Sequence, residues 1–207
     1  MPDAKLSCDE LLSTTRTVRR ALDLDAPVDV EVIKDCLRLA LQAPNGANRQ
    51  HWRWLVLTDP EPRAAVAKVY RRAFHERNAA ALRRDPGNRM LSGGAYLAEH
   101  LHRVPVLVLP CLELGTARLP TGNQAGLWGS LLPAAWSYML AARSRGLACA
   151  WTSVHLDRER EVAELLGLPP GVHQGGLLPT ARSRKATFAP APRRPLEQVL
   201  YLNGWRP

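Results

Sequence analysis

The chain has 207 residues, 46% of them hydrophobic and 23% charged, with a formal net charge of +9. Those values suit one globular domain with a sizeable core and exclude a low-complexity chain or a small disulfide scaffold. No apolar run reaches about 18 residues, so no membrane span is expected.

In chain order, a short helix is expected over Leu6–Leu12, followed by the basic stretch Arg16-Thr17-Val18-Arg19-Arg20. Asp29 is placed to cap a helix, its carboxylate accepting from first-turn N–H groups. Behind it Val32, Ile33, Cys36, Leu37, Ala40 and Leu41 recur at three and four residues, one apolar face that ends before Pro44. Trp52–Thr58 reads as a strand and Pro62–Ala81 as a helix. Arg83–Gly94, with Asp-Pro-Gly-Asn and Ser-Gly-Gly, reads as a mobile connection. A short helix over Tyr96–His102 and a buried strand over Val104–Leu112 come next, then a loop over Leu114–Gly126. Leu127–Arg145 is a long apolar helix, buried on most sides, that Pro133 should kink or start late. Gly146 ends it before a strand over Leu147–Thr152. Asp157–Leu166 is an amphipathic helix closed by Gly167, and Gly175–Ala181 is the last strand. Pro190–Pro207 is an extended, proline-rich tail. The whole chain, 1–207, is expected to be one domain with that tail.

The four cysteines, Cys8, Cys36, Cys111 and Cys149, show no metal-ligand spacing. Reduced thiols and an N-terminus without an apolar signal core lead to an expected cytoplasmic location. Nearly all the positive charge is arginine, since the only lysines are Lys5, Lys34, Lys68 and Lys185. A basic balance suits nucleic acid or any phosphate ligand. The arginines are dispersed and no nucleic-acid motif is present, so no nucleic-acid partner is expected. Gly-x-Gly-x-x-Gly, Gly-x-x-x-x-Gly-Lys, His-Glu-x-x-His and Gly-x-Ser-x-Gly are all absent. Dinucleotide-fold, P-loop, zincin and serine-nucleophile chemistry lose their usual signatures. No metal ligand and no catalytic side chain are assigned.

Four stretches, taken in order, resemble the nitroreductase family. Thr15-Arg16-Thr17-Val18-Arg19 is similar to the family's Arg-Arg-Ser-x-Arg segment. Ala43-Pro44-Asn45-Gly46-Ala47-Asn48-Arg49-Gln50-His51-Trp52 resembles its Ala-Pro-Ser/Thr-x-x-Asn-x-Gln-Pro/Gly-Trp. Leu140-Ala141-Ala142 running into Gly146-Leu147-Ala148-Cys149-Ala150-Trp151-Thr152 resembles the helix and Gly-Leu-Gly strand beside the flavin. Pro192-Arg193-Arg194-Pro195-Leu196-Glu197-Gln198-Val199 resembles the basic tail that returns to the phosphate. Tyr96–Arg103, Gln174–Pro179 and Asn203-Gly204-Trp205 look like an actinobacterial subgroup of that family.

The resemblance implies an α+β fold, a mainly antiparallel central sheet surrounded by helices, in an intertwined homodimer with flavin sites lined by both chains. It implies FMN as cofactor, NAD(P)H as reductant, and ping-pong hydride transfer to nitroaromatics, quinones or similar small molecules. A deazaflavin is an open alternative. So are a flavin-dependent dehydrogenase or oxidase of a small metabolite and a non-enzymatic flavin-binding protein.

FMN needs cations and donors for its phosphate, polar groups along the ribityl chain and a flat apolar slot. Arg16 and Arg19 would share one side of a helical turn and hold the phosphate. Thr17 would add a hydroxyl, and Arg193 would close the site. Asn45, Asn48 and Gln50 lie in a Pro/Gly loop after Pro44. Their amides serve either the loop's own backbone or the flavin. Gly46 permits a close approach. Ala148 stands where the family has glycine and puts a methyl near the flavin. Thr152 and Ser153 either donate to the flavin or cap the turn. Trp128 and Tyr96 are the candidates to face substrate, against a plain role in the core.

Overall fold

The computed structural model describes residues 6–205. Ser7 caps α1 (Cys8–Thr14) through a reciprocal box with Glu10, so the helix starts two residues later than the apolar pattern predicts. The Asp29 carboxylate caps α2 (Val30–Ala40) by accepting from Glu31 N at 2.9 Å. The apolar stripe of α2 buries Ile33, Cys36 and Ala40. Strand β1 (Trp52–Leu57) leads into α3 (Pro60–Arg84), which has proline in its first turn and basic residues in its last.

The Ser-Gly-Gly stretch belongs to a helix, not to a mobile connection. Asn88 caps α4 (Arg89–His100) by accepting from Met90 N and Leu91 N. Gly93 and Gly94 both lie inside it, and Gly94 is where α4 packs tightly on α3. A Cβ on Gly94 would meet Phe74 Cε2 at 2.7 Å. A single turn of 3-10 helix, Leu101–Arg103, then feeds β2 (Val106–Glu113).

Helix α5 (Ala125–Arg143) continues through Pro133 with no late start. It buries Leu131, Ala134, Ala135, Tyr138, Met139 and Ala142. Gly146, at φ 73°, turns the chain into β3 (Leu147–Cys149), which is shorter than expected. Thr152 pairs again with Leu177 beyond the strand end. A 3-10 turn (Val154–Arg158) precedes α6 (Glu159–Leu166), which Gly167 ends in the left-handed region at φ 64°.

The last sheet segment divides into β4 (Val172–Gln174) and β5 (Leu178–Arg182), both antiparallel to β2. Sequence periodicity joins Gly175–Ala181 into one strand and misses β4. The register explains the break. Cys111 faces Gln174 while Val108 faces Leu178, so three residues of one strand oppose two of the other. This one-residue bulge sits at Pro110, which has no N–H to donate; its carbonyl accepts from Gly175 N at 2.8 Å.

The sheet order is β1-β2-β5-β3, with β4 also on β2 and each of these pairings antiparallel. The fold is α+β with a mainly antiparallel sheet, as expected, and helices around it. One core layer packs α3 and α4 on the face carrying Leu107, Leu109 and Cys111. The other packs α2 and α5 on Val106, Val108, Leu147 and Cys149. Among the described residues no helix is long and apolar enough to cross a membrane.

Candidate functional site

Two features could hold a ligand, one cationic and one rich in amides. The first is a cleft of about 390 Å³ lined by Arg16, Thr17, Arg19, Arg20, Arg89, Lys185 and neighbours. Residues 15–18 are not a helical turn. They run extended beside β3, with Val18 N donating to Cys149 O at 2.9 Å and Trp151 N donating to Thr17 Oγ1 at 3.3 Å. Arg16 and Arg19 thus reach one cleft from extended backbone. The Thr17 hydroxyl keeps its own proton for an acceptor.

Arg16 donates to Ala189 O, and its Nε is buried without a partner. Phe188 stands between two guanidinium groups, 5.9 Å from Arg16 and 4.9 Å from Arg143. Arg143 is buried at 8% exposure, and desolvation lowers its pKa. Arg20 donates to Ser92 O and Oγ and lies 5.0 Å over the ring of Tyr96. Tyr96 stacks on His100 at 4.2 Å. It supports Arg20 and does not itself line the cleft.

Arg193 does not close this cleft. It is exposed and donates to Pro192 O at 2.9 Å. Lys185 and Phe188, earlier on the returning chain, take its place. Sequence reasoning missed these two and also Arg20 and Arg89. The doubled Arg19-Arg20 and the scarcity of lysine were the available signals.

The second feature is the 44–51 loop. Gly46 N donates to Ser130 Oγ at 2.9 Å and anchors the loop on α5. Asn45 Oδ1 accepts from Gln50 N, and Asn48 Oδ1 accepts from Gln50 Nε2, each at 3.1 Å. These amides do serve the loop's own fold. Ala47, Asn48 and Gln50 all have φ near +52°, a conformation that costs each non-glycine residue about 1 kcal/mol or more. Such strain persists only where surroundings enforce it. The loop borders a cavity of about 420 Å³ lined by Asn45, Gly46, Gln50, His51, Asn123 and Leu127 among others. Pro44 and Asn48 are not in that lining.

The remaining expected contacts separate. Strand alternation turns the Ala148 side chain into the core beside Ala150 and Ala181, 3% exposed. Its methyl faces packing and not a ligand, which corrects the expectation. Thr152 is buried, its hydroxyl 2.9 Å from Tyr70 Oη and its backbone paired with Leu177. It is a packing post. Ser153 is exposed and starts the 3-10 turn without a side-chain capping bond, so its hydroxyl is free for a ligand. Trp128 donates from Nε1 to Gln124 Oε1 at 3.0 Å and lines a separate cavity of about 270 Å³ with Leu132, Glu159 and Gln174. Trp128 and Tyr96 share no cavity. Burial pushes the Cys36 thiol up to about 11 and those of Cys111 and Cys149 to about 12, which removes them as nucleophiles at neutral pH.

The cation cleft and the amide loop lie at opposite ends of α5. Phe188 ties the first to Arg143, and Ser130 holds the second. Those positions are thirteen residues apart on the helix, about 20 Å along its axis.

The Nitroreductase family model matches residues 12–180. The 5,6-dimethylbenzimidazole synthase of Rhodospirillum rubrum is 30% identical over 79% of this chain and 76% of its own length. Human iodotyrosine deiodinase 1 is 25% identical over 92% of this chain, which spans just under two thirds (66%) of that protein. Among solved structures, the FMN and NADPH-dependent nitroreductase NfnB from sphigopyxis sp. strain HMH superposes with a TM-score of 0.72 at 21% identity. That match covers 97% of this chain and 100% of the other.

Proposed function

Because this chain belongs to the nitroreductase family, we propose that it is an oxidoreductase that holds FMN in sites shared between two copies of itself. The observation that carries the reading is the cation cleft. Arg16, Arg19, Arg20, Arg89 and Lys185 line it, and among the described residues none of the five pairs with a carboxylate. Arg16 Nε is buried and lacks an acceptor. A phosphate carrying roughly −1.5 to −2 charge supplies both the counter-charge and the acceptor oxygens. The residues present fit the group.

In this reading Arg16 and Arg19 hold the phosphate and Thr17 donates its hydroxyl proton to it. Ser153, at the end of the same edge, offers a hydroxyl to the rest of the flavin. Asn45, Gly46, Asn48 and Gln50 of the partner copy complete the polar lining, because within one chain they stand about 20 Å from the cleft along α5. The tail supports a partner surface too: Leu196, Val199, Leu200, Leu202 and Trp205 are all exposed. When bound, FMN supplies two-electron hydride chemistry, drawn from NADH or NADPH and delivered to a nitroaromatic, a quinone or a similar electrophile. No acid–base triad is required of the protein, whose part is to orient the ligands and exclude water.

An absorption spectrum before and after adding FMN and removing the excess tests this. A retained flavin band that NADPH or NADH bleaches is expected. A protein that keeps no flavin overturns the proposal.

The mixed lining of the 420 Å³ cavity, with Asn45, Gln50, His51 and Asn123, favours one second reading. There the flavin dehydrogenates or oxidises a polar metabolite. Strict dependence of product on added NAD(P)H removes it.

A further inference from the structure

The cation cleft holds more positive charge than one flavin phosphate neutralises, and we infer that its outer half is a second phosphate-binding subsite. The inference rests on the FMN reading of the inner half. Arg16 and Arg19 are half-buried and line the inside, whereas Arg20, Arg89 and Lys185 are exposed at the rim. Five cations against about two negative charges leave a surplus of about three.

That surplus is gathered in one cleft. Elsewhere several arginines meet acids, Arg53 with Glu113, Arg72 with Glu161, Arg77 with Asp157, Arg103 with Asp25 and Arg158 with Glu76. Exposed ones such as Arg49, Arg118 and Arg194 carry no ion pair among the described residues but line no shared cleft with other cations. No carboxylate lines the cleft. Like charges gathered without a counter-ion repel one another, which favours the arrangement only when a ligand brings the anion.

The rim is also held in shape. Arg20 is fixed by Ser92 and by the Tyr96 ring. Arg89 is the first residue of α4, so the positive end of that helix dipole faces the same space. Arg89 and Lys185 make no hydrogen bond through their side chains among the described residues and are free to close on a phosphate.

The chemistry required is a phosphate a short distance beyond the flavin phosphate. Two sources supply it: the pyrophosphate link of FAD, or a phosphate of the reducing nicotinamide nucleotide. The double variant Arg89→Ser/Lys185→Ser changes two exposed side chains, so circular dichroism and the thermal midpoint should match wild type. Affinities for riboflavin, FMN and FAD, and KM for NADPH and NADH on the FMN-loaded protein, are then measured for both proteins. A loss in FAD affinity at least fivefold greater than the loss in FMN affinity assigns the subsite to a flavin dinucleotide. A KM raised at least fivefold for NADPH, alone or together with NADH, assigns it to the reductant. If neither changes beyond twofold, the second subsite is refuted. If wild type binds riboflavin as tightly as FMN, the inner phosphate site itself fails, which is a separate result.

Discussion

Gly94 faces the ring edge of Phe74, where a Cβ would stand 2.7 Å from Cε2 and 3.1 Å from Cζ. The helices α3 and α4 meet through that missing side chain. Gly94→Ala should force the buried ring or the helix to move, at a cost of about 1–3 kcal/mol. A lower denaturant midpoint with an unchanged slope checks it. Because α4 carries Tyr96 and Ser92, both of which hold Arg20, flavin affinity should fall as well.

His155 is fully buried, with both ring nitrogens unpartnered, and burial pushes its pKa down from 6.5 to about 4. The folded state therefore resists taking a proton that the unfolded chain accepts. Its contribution to stability is complete above pH 6.5 and is lost as pH falls towards 4, by about 3 kcal/mol. His155→Leu removes the titration. Unfolding measured from pH 8 to pH 4 should show the wild type losing more stability than the variant over that window; parallel curves would refute the assignment.

Arg19 is half-buried in the cation cleft and pairs with no acid among the described residues. Arg19→Ala should weaken FMN about tenfold or more, as expected for a lost charge-assisted contact, and leave riboflavin nearly unchanged. The FMN affinity of the wild type should also fall with added salt. Equal losses for both flavins would place Arg19 away from the phosphate.

The two halves of the proposed site sit at opposite ends of α5, so two defective copies should repair each other. Arg19→Ala damages the cleft and Gln50→Ala the loop. In a random mixture about half the dimers pair one of each, and in those one of the two sites is intact. Unfolding and refolding the mixture should restore about a quarter of wild-type activity. No recovery in a refolded mixture that contains mixed dimers would mean that each chain builds its site alone.

The elements that carry periodicity were legible. The α2 stripe, the buried β2 run and the Gly167 helix end follow from local patterns. The failures have physical causes. The Gly93-Gly94 pair looks like a turn because sequence does not show that Phe74 lies opposite. Arg16 and Arg19 seem to need a helical turn because spacing alone does not reveal an extended segment bonded to β3. Ala148 reads as a ligand contact from its place in a motif, yet strand alternation sends its methyl into the core. Arg89 and Lys185, far from the motif in sequence, reach the cleft only through the packing of α4 and the returning chain.

The offset at Pro110 makes chain length between Gln174 and Leu178 carry meaning that no single side chain does. With the extra residue, Gln174 shares the Cys111 side of the sheet, where its amide reaches Glu159, while Leu178 shares the Val108 side. Removing one glycine from the Gly175-Gly176 pair would set two residues against two, so the bulge would disappear while Gln174 stayed opposite Cys111 and Leu178 opposite Val108. For this segment chain length sets the local bend of the sheet and not the face that receives the polar amide, so relatives one residue shorter here should keep that amide in place and lose the kink at Pro110.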